Sequence, residues 1–467
     1  MAPKLLSPAA PARIESLAVL PLENYSGDPN QEHYAEVITD NLISALGTIG
    51  ALDMRSRTSV MQYKDTRKSL SEIAQNLNVD GVVEGSVQRD GNQMRITVRL
   101  FDAPIDKQLW TSTYERDVGD IFTLCGEIAR TVADEIEITL TPDQETRLVA
   151  KRPIDRETFE TYARGMYLLY KSTPQGTKKG LEYLQQAIEN DPSDPLAYGQ
   201  LALGYAAIAH GPGAPPDALE KTEKAAQKAL ELDKTSVEAH AALGHIMLYR
   251  DWNWEAAEKN FQEALQLNPN LPLTRSHYSW YLLLMGQRDE ALAQMKRVQE
   301  ADPLTPLWPA YLGTQYLWAG RYDEAIEEIQ ESLELDSDFA YALDALGSAY
   351  AAKGMYEEAI EANQKACELG RLWKSGLART YATAGRNDEA RLVLDEVEAE
   401  ATTYDTWFIA QVYAVLGQND EAFRWLEKAC GPPKQPYVPW TKHCPAFKSL
   451  HDDPRFDGLL SRLNLSE

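Results

Sequence analysis

Apolar positions recur with a helical period over the C-terminal two-thirds of the chain, and small residues recur within this pattern every 34 residues. Alanine recurs at this interval at positions 257, 291, 325 and 359, and glycine recurs at 286, 320 and 354. An alanine early in a second helix lets two antiparallel helices approach closely. A glycine ends a first helix because left-handed backbone costs least without a Cβ. The pattern therefore predicts a stack of helical hairpins.

Two segments carry the pattern most clearly, LWPAYLGTQYLWAGRYDEAIEEIQESLEL at 307–335 and YALDALGSAYAAKGMYEEAIEANQKACEL at 341–369. They resemble the tetratricopeptide repeat (TPR), with Gly347, Gly354 and Ala359 at its packing positions. In the same phase, further copies occur at 159–192, 197–232, 237–269, 274–303, 372–397 and 404–429. The copy at 197–232 carries a glycine–proline insertion at 210–216, and the copy at 237–269 has one extra residue in its turn. We therefore predict a mainly α fold with a right-handed superhelix of about eight hairpins over 155–432.

Residues 16–140 follow a different pattern, with short alternating stretches typical of strands. We predict strands at 17–20, 52–55, 81–88, 93–101 and 109–114, and helices at 31–46, 70–77 and 120–138. The tetrad Arg-Asp-Gly-Asn at 89–92 is typical of a hairpin turn. This order predicts a small α+β domain with a mixed sheet, joined to the repeats by a linker at 141–154.

Four segments of this domain resemble the TolB amino-terminal-like, or FlgO-like, domain: AVLPLENYSGDPNQEHYAE (18–36), RSRTSVMQYK (55–64), VVEGSVQRDGNQMRITVRL (82–100) and LWTSTYERDVGDIF (109–122). In bacteria this domain is commonly followed by TPRs, in the C-terminal half of receptor-type adenylate cyclases, protein kinases and winged-helix regulators. The resemblance implies a bacterial signal-transduction or assembly module outside the cytoplasm. A cytoplasmic location is the alternative, since the sequence contains no signal peptide and no apolar stretch of about 18 residues.

The two ends of the chain lie outside both patterns. Residues 1–15 combine small residues and prolines and are expected to form a flexible leader. After a proline-rich turn, Asp453 and Pro454 are expected to start a short apolar helix. Residues 433–467 are therefore predicted to cap the last hairpin, and a detachable binding peptide is the alternative.

Charge and cysteine content narrow the possible functions. The chain has 467 residues and a net charge of -25, which opposes binding to nucleic acid and to anionic membranes. Its four cysteines are too few for a disulfide framework, and either a Cys430–Cys444 bond or two free thiols is compatible with the sequence. His443 lacks a second ligand pair at zinc spacing, so no metal site is predicted.

No motif for catalysis or cofactor binding occurs in the chain. The seven histidines show no nucleophile–base pairing, and neither G-x-S-x-G nor a phosphate-binding G-x-x-x-x-G-K-[ST] is present. We therefore expect a non-enzymatic scaffold or sensor without a cofactor, which binds a protein or peptide segment. A ligand-sensing receptor region, with a site in the N-terminal domain or at the junction near residues 152–170, is the alternative.

The TPR phase predicts which side chains of the first helices line the concave groove. The candidates are His245, Ser276, Trp280, Thr314, Trp318, Tyr341, Asp344, Ser348, Ser375, Arg379, Tyr404, Trp407 and Gln411. The three tryptophans are the strongest, since large aromatic side chains carry much of the energy at interfaces, although packing between hairpins is the alternative for each. Asp344 and Arg379 occur together, so we expect a partner segment with apolar anchors and not an acidic C-terminal peptide. The sequence leaves the oligomeric state open.

Overall fold

The computed structural model describes residues 14–209, 215 and 217–465. Most of the predicted leader at 1–15 and of the predicted insertion at 210–216 lies outside these residues. The described chain is mostly helical, with many helical hairpins after a small mixed sheet. The predicted fold class is therefore confirmed.

One mixed sheet organises the N-terminal part of the chain. Its strands are β1 (Ser16–Val19), β2 (Glu23–Asn24), β3 (Asp53–Met54), β4 (Gly81–Asp90), β5 (Gln93–Asp102) and β6 (Lys107–Asp117). The order is β3-β1-β4-β5-β6, with β2 also paired to β4. Strand β1 is parallel to β3 and β4, whereas β4, β5 and β6 form an antiparallel meander. Gly91 adopts the positive φ of +60° that the predicted hairpin turn requires.

Five helices belong to the same part: α1 (Glu32–Gly47), α2 (Arg57–Met61), α3 (Leu70–Leu77), α4 (Ile121–Glu135) and α5 (Pro142–Leu148). The segment predicted as a linker therefore contains a helix. Thr141 and Gln144 cap α5 reciprocally, and Pro142 occupies its first turn. A Cβ on Gly126 of α4 would lie 2.1 Å from the carbonyl oxygen of Leu148, so α5 docks directly on α4.

Eight consecutive helical hairpins follow within the described residues. Their helices are α6 (Arg156–Tyr170), α7 (Pro174–Asn190), α8 (Pro195–Ile208), α9 (Ala218–Leu232), α10 (Val237–Ile246), α11 (Trp254–Leu267), α12 (Pro272–Leu284), α13 (Arg288–Ala301), α14 (Leu307–Trp318), α15 (Tyr322–Leu335), α16 (Ala340–Ala352), α17 (Tyr356–Leu369), α18 (Lys374–Thr383), α19 (Asn387–Ala399), α20 (Thr406–Val415) and α21 (Asn419–Cys430). The periodic alanines are fully buried, and the periodic glycines have φ between +76° and +79°.

The third hairpin differs at its internal turn. Helix α10 continues as a π-helical turn, Met247–Asp251, which absorbs the extra residue seen in the sequence. Trp252 then adopts φ +56°, at the position that Gly286 occupies 34 residues later. A buried tryptophan is thus held in a backbone conformation that glycine provides in the next three hairpins.

The C-terminal segment, defined here as residues 431–465, folds back onto hairpins that are distant in sequence. It contains two 3-10 helices, Val438–Lys442 and Pro445–Leu450, and α22 (Pro454–Arg462), which begins where the sequence predicts. Trp440 Nε1 donates to the carbonyl oxygen of Trp280 at 3.3 Å, and Trp254 Nε1 donates to that of Leu463 at 2.9 Å. The segment therefore covers the last hairpin and also ties it to the third and fourth hairpins.

The N-terminal domain rests on the turns that follow α11 and α13. Asn270 donates to the carbonyl oxygens of Gly47 and Leu52 and accepts from the N–H of Met54, each at 3.0 Å. Asp302, in the equivalent turn one hairpin later, accepts from hydroxyl groups of α2 and its N-cap. These contacts fix the domain against the repeats at two successive positions.

His33 lies where α1 meets α6. Its side chain is 8% exposed, and its ring centroid lies 3.9 Å from that of Tyr34 and 6.4 Å from that of Tyr167. The pKa of His33 is lowered to about 4, chiefly by burial and also by the charges of Arg164 and Arg89, while a backbone hydrogen bond with Asn30 and the charge of Glu160 act in the opposite direction. The imidazole is therefore neutral in the folded protein at physiological pH.

We expect the folded protein to lose stability as the pH falls from 6.5 toward 4. The unfolded chain takes up a proton at His33 near pH 6.5, whereas the folded chain resists it, so this residue contributes a slope of up to about 1.4 kcal/mol per pH unit. Urea titrations across this range measure the slope. The His33→Gln variant, which cannot titrate, should show a shallower slope, and an unchanged slope would contradict the assignment.

All four cysteines are free thiols in the structure, so Cys430 and Cys444 are not bonded to each other. Burial raises the pKa of Cys125 to about 12 and that of Cys444 to about 11. These thiols stay protonated at neutral pH and are poor nucleophiles.

Candidate binding groove

Five half-buried aromatic side chains follow one another across the central hairpins, four on first helices and one just before α18. We call Trp280, Tyr311, Trp318, Tyr341 and Trp373 the aromatic row. Ring centroids lie 5.5 Å apart for Trp280 and Trp318, and 5.6 Å apart for Trp280 and Tyr311. Tyr341 lies 5.3 Å from Tyr311 and 6.2 Å from Trp373. The rings thus form a continuous apolar strip that keeps part of its surface in solvent.

The tyrosines of this row also offer polar groups. Burial raises the pKa of Tyr311 to about 12 and raises that of Tyr341 as well, so both hydroxyls stay protonated. The Tyr341 hydroxyl lies 3.0 Å from the Thr314 hydroxyl, whose oxygen is also 2.8 Å from the carbonyl oxygen of Ala310. Because the Thr314 hydroxyl donates to Ala310, the Tyr341 hydroxyl donates to Thr314. This bond fixes the position of the Tyr341 ring within the row.

A charged network connects three successive first helices beside the row. Arg379 of α18 donates to Gln411 of α20 at 2.6 Å and to Ser348 of α16 at 2.8 Å. It also pairs with Asp344 of α16 at 3.4 Å. Burial raises the pKa of Asp344 and the guanidinium of Arg379 opposes this shift. The two charges satisfy each other, so this network positions the helices and leaves no basic clamp.

A glycine allows this network to form. A Cβ on Gly376 would lie 1.6 Å from Oδ1 of Asp344, so any other residue here would displace this carboxylate. Because α18 has no side chain at this point, the carboxylate of α16 can reach across to the next helix.

Four predicted groove residues pack inside the repeats instead: His245, Ser276, Thr314 and Ser375 are all buried. The His245 ring lies 4.7 Å from Tyr249 and 4.9 Å from His277, and the Ser276 hydroxyl donates to the carbonyl oxygen of Leu273. Their side chains face neighbouring helices, because the helical phase at these positions turns toward the contact between hairpins. We therefore leave them out of the candidate site.

The predicted groove residues of the last hairpin lie beneath the C-terminal segment. Trp407 is 5% exposed and donates from Nε1 to the Thr441 hydroxyl at 2.9 Å. Gln411 is also buried, and the ring of Tyr404 lies 6.2 Å from that of Tyr437. The chain itself occupies this end of the groove, so Trp407 is not available to a partner.

Of the predicted residues, the structure brings together Trp280, Trp318 and Tyr341 in the row, and Asp344, Ser348 and Arg379 beside it. Sequence reasoning missed Tyr311 and Trp373. Tyr311 could have been found, since it lies 34 residues after the aromatic His277. Trp373 lies in a short 3-10 helix before α18, where the repeat phase gives no guidance.

The structure also bears on metal binding and on a ligand site at the predicted junction. Among those residues, no group of three or more histidine, cysteine or acidic side chains is placed to hold a metal ion. Near the junction predicted for a ligand, a depression of about 210 Å³ is lined by residues that include Arg116, Lys151 and Pro153. This volume is below the roughly 300–1,000 Å³ of typical ligand pockets.

Within residues 14–209, 215 and 217–465, no helix is both long enough and apolar enough to cross a membrane.

Comparison with known proteins identifies the repeats. The family profile of the tetratricopeptide repeat matches residues 279–338 and 312–372, which include four members of the aromatic row and end one residue before Trp373. A TPR protein of Thermus thermophilus, TTC0263, is 20% identical with a TM-score of 0.35, over 41% of this chain and 98% of that one.

Two curated relatives match parts of the chain. "Putative adenylate cyclase 3" of Rhizobium meliloti (strain 1021) is 30% identical over 238 residues, which cover 50% of this chain and 40% of the relative. "Transcriptional regulator HilA" of Salmonella typhimurium is 29% identical over 143 residues, which cover 30% of this chain and 26% of the relative. The chain thus spans less than half the length of the relatives it matches. The profile match and the hairpin geometry together show that the chain contains tetratricopeptide repeats.

Proposed function

We propose that this chain is a non-enzymatic protein-interaction scaffold of a bacterial signalling or assembly system, and that it binds a partner segment along the aromatic row. The observation that carries the proposal is the half-exposed state of these rings. The C-terminal segment buries the aromatic residues at the end of the groove, such as Trp407, but leaves the central rings partly in solvent.

The binding free energy of a partner segment is expected to come mainly from the rings of the aromatic row. A buried aromatic hot spot contributes about 2 kcal/mol or more to binding, and rings already held by their neighbours lose little side-chain entropy when a partner docks. The neighbouring charges of Asp344 and Arg379 are mutually paired, so they offer no anchor for a free carboxylate. An extended or helical segment with apolar side chains fits best, and basic flanking residues would be attracted by the net charge of -25.

A role in signalling is supported by the names of the relatives. One is named as an adenylate cyclase and the other as a transcriptional regulator, so the similarity accompanies two different output activities. An interaction or sensing module is a function that such proteins can share. The resemblance of residues 16–140 to the TolB-like domain supports the same role and an extracytoplasmic location, with this domain as a second docking surface.

The proposal is tested with a library of random peptides displayed on phage and selected against the wild-type chain. Replacing Trp318 and Trp373 with alanine together should weaken the selected peptides by at least about thirtyfold, which corresponds to about 2 kcal/mol. Fluorescence anisotropy with labelled peptides measures the affinity. Because both tryptophans are only half-buried, the variant should remain folded.

Matched controls are available on the second helices. Tyr322 at the start of α15 and Tyr356 at the start of α17 are exposed aromatic residues outside the groove. The Tyr322→Ala, Tyr356→Ala double variant should bind the peptides as the wild type does. Equal affinity for the tryptophan variant and the wild type would exclude the aromatic row as the binding site.

A further inference from the structure

Strand β6 forms an open edge of the sheet. It has 11 residues and no proline, and each residue is exposed or half-exposed. The β5–β6 register is regular from Trp110 to Asp117, and the single shift, near Leu109, lies at one end. Natural proteins usually protect edges of this length, because free backbone groups on them can pair with another strand.

Alternation of the backbone identifies the groups that face outward. The N–H of Val118 donates to the carbonyl oxygen of Asn92 in the β4–β5 turn. The backbone N–H and C=O groups of the even-numbered residues of β6 therefore point toward β5. The N–H and C=O groups of Thr111, Thr113 and Glu115 consequently point away from the sheet. In the described part of the chain, one hydrogen bond engages these groups: the Arg116 side chain donates to the carbonyl oxygen of the neighbouring Glu115.

We propose that a second copy of this chain pairs with this edge, and that the two β6 strands run antiparallel about a two-fold axis at Ser112. The segment Trp-Thr-Ser-Thr-Tyr at 110–114 reads almost the same in both directions. In this register Thr111 lies opposite Thr113 of the other copy. These are the residues whose backbone groups point outward, so each such pair can exchange both N–H···O bonds.

The side chains agree with this register on both faces. Trp110 lies opposite Tyr114 of the other copy, and both rings already pack partly on the domain core, which gives an aromatic cross-strand pair. On the other face, the exposed side chain of Thr111 lies opposite that of Thr113 of the other copy. The strand carries Lys107 at one end and Asp117 at the other, so an antiparallel copy brings opposite charges near each other. A self-complementary strand of this kind favours a second copy over an unrelated partner. This interface is independent of the aromatic row.

The test measures the molar mass of the full chain by sedimentation equilibrium over a wide concentration series. The wild type should convert from monomer to dimer. A T111K/T113K variant places like charges opposite each other in both threonine pairs and should raise the dissociation constant by at least about tenfold. A T111K/T113E variant places opposite charges there instead and should restore dimerisation.

Both threonines are exposed, so the variants should keep the fold, which far-UV circular dichroism checks. Hydrogen exchange of the Thr111 and Thr113 amides should slow as the dimer forms. A wild-type monomer at every concentration would overturn the proposal and leave the edge to a strand of a different protein. A dimer that responds equally to both variants would place the interface elsewhere and would also overturn it.

Discussion

Replacing Asp302 with alanine is expected to remove one of the two attachments between the N-terminal domain and the turns that follow α11 and α13, and to lower the free energy of unfolding by about 3 kcal/mol or more. Asp302 is 2% exposed. Its Oδ1 accepts from the hydroxyls of Ser56 at 2.5 Å and Ser59 at 2.6 Å, and its Oδ2 accepts from the indole of Trp308 at 2.7 Å. Alanine would leave all three donors unpaired at a buried interface. Urea unfolding measures this loss.

The repeat architecture supplies a matched control for this variant. Asp336 lies 34 residues after Asp302, at the same point of the next hairpin, but its side chain is exposed. Within the described part of the chain, its hydrogen bonds are local and none reaches the N-terminal domain. The Asp336→Ala variant should change stability by less than about 0.5 kcal/mol. Hydrogen exchange at residues 56–61 should accelerate in D302A and stay unchanged in D336A. Equal behaviour of the two variants would show that Asp302 does not hold the domain.

The hairpin stack was predictable because its determinants are local and repeated. A buried alanine and a positive-φ glycine in each hairpin are visible in the sequence without knowledge of distant contacts. The edge strands and the hairpin turn at Gly91 were predictable because their sequence signals are also local. Helix α5 was missed although its signal is present, since Thr141, Pro142 and Gln144 form a capping pattern within a segment that otherwise reads as a linker.

The long-range arrangement could not be predicted from the repeat pattern. Asp302 and Asp336 are equivalent in phase, yet contact with α2 makes only one of them buried. The same limit affected the predicted groove: the repeat phase selected Trp318 and Tyr341, which are partly exposed, but also Trp407, which is buried. The burial of Trp407 depends on Thr441, which lies 34 residues later in a segment without repeat character.

Closure of the stack by the C-terminal segment explains why the candidate site is confined to the central hairpins. One apolar cluster joins Tyr249 and Leu284 to Trp407, Phe447 and Leu459, so residues of the third and fourth hairpins share a core with the chain terminus. An open superhelix can change its curvature, whereas a stack tied at distant points is held in one curvature. We therefore expect the aromatic row to be preorganised for its partner.

Replacing Trp440 with alanine should have the other large effect, a loss of about 3–5 kcal/mol in the free energy of unfolding. Trp440 is 3% exposed, its ring stacks on Tyr249 at 5.5 Å, and its indole donates to the carbonyl oxygen of Trp280. Alanine would leave a cavity between the C-terminal segment and the fourth hairpin. Urea unfolding measures the loss, and hydrogen exchange should accelerate in both α12 and residues 438–450.

The Trp373→Ala variant is the control, since it removes the same atoms from a half-buried position. The ring contact of Trp373 is with Tyr341 and not with the C-terminal segment. It should cost about 1 kcal/mol or less, because part of its surface is already in solvent. Faster exchange confined to residues 438–450 in W440A would show that the segment covers the groove without holding the hairpins. Faster exchange in α12 as well means that the contact with Trp280 sets the curvature on which the aromatic row depends.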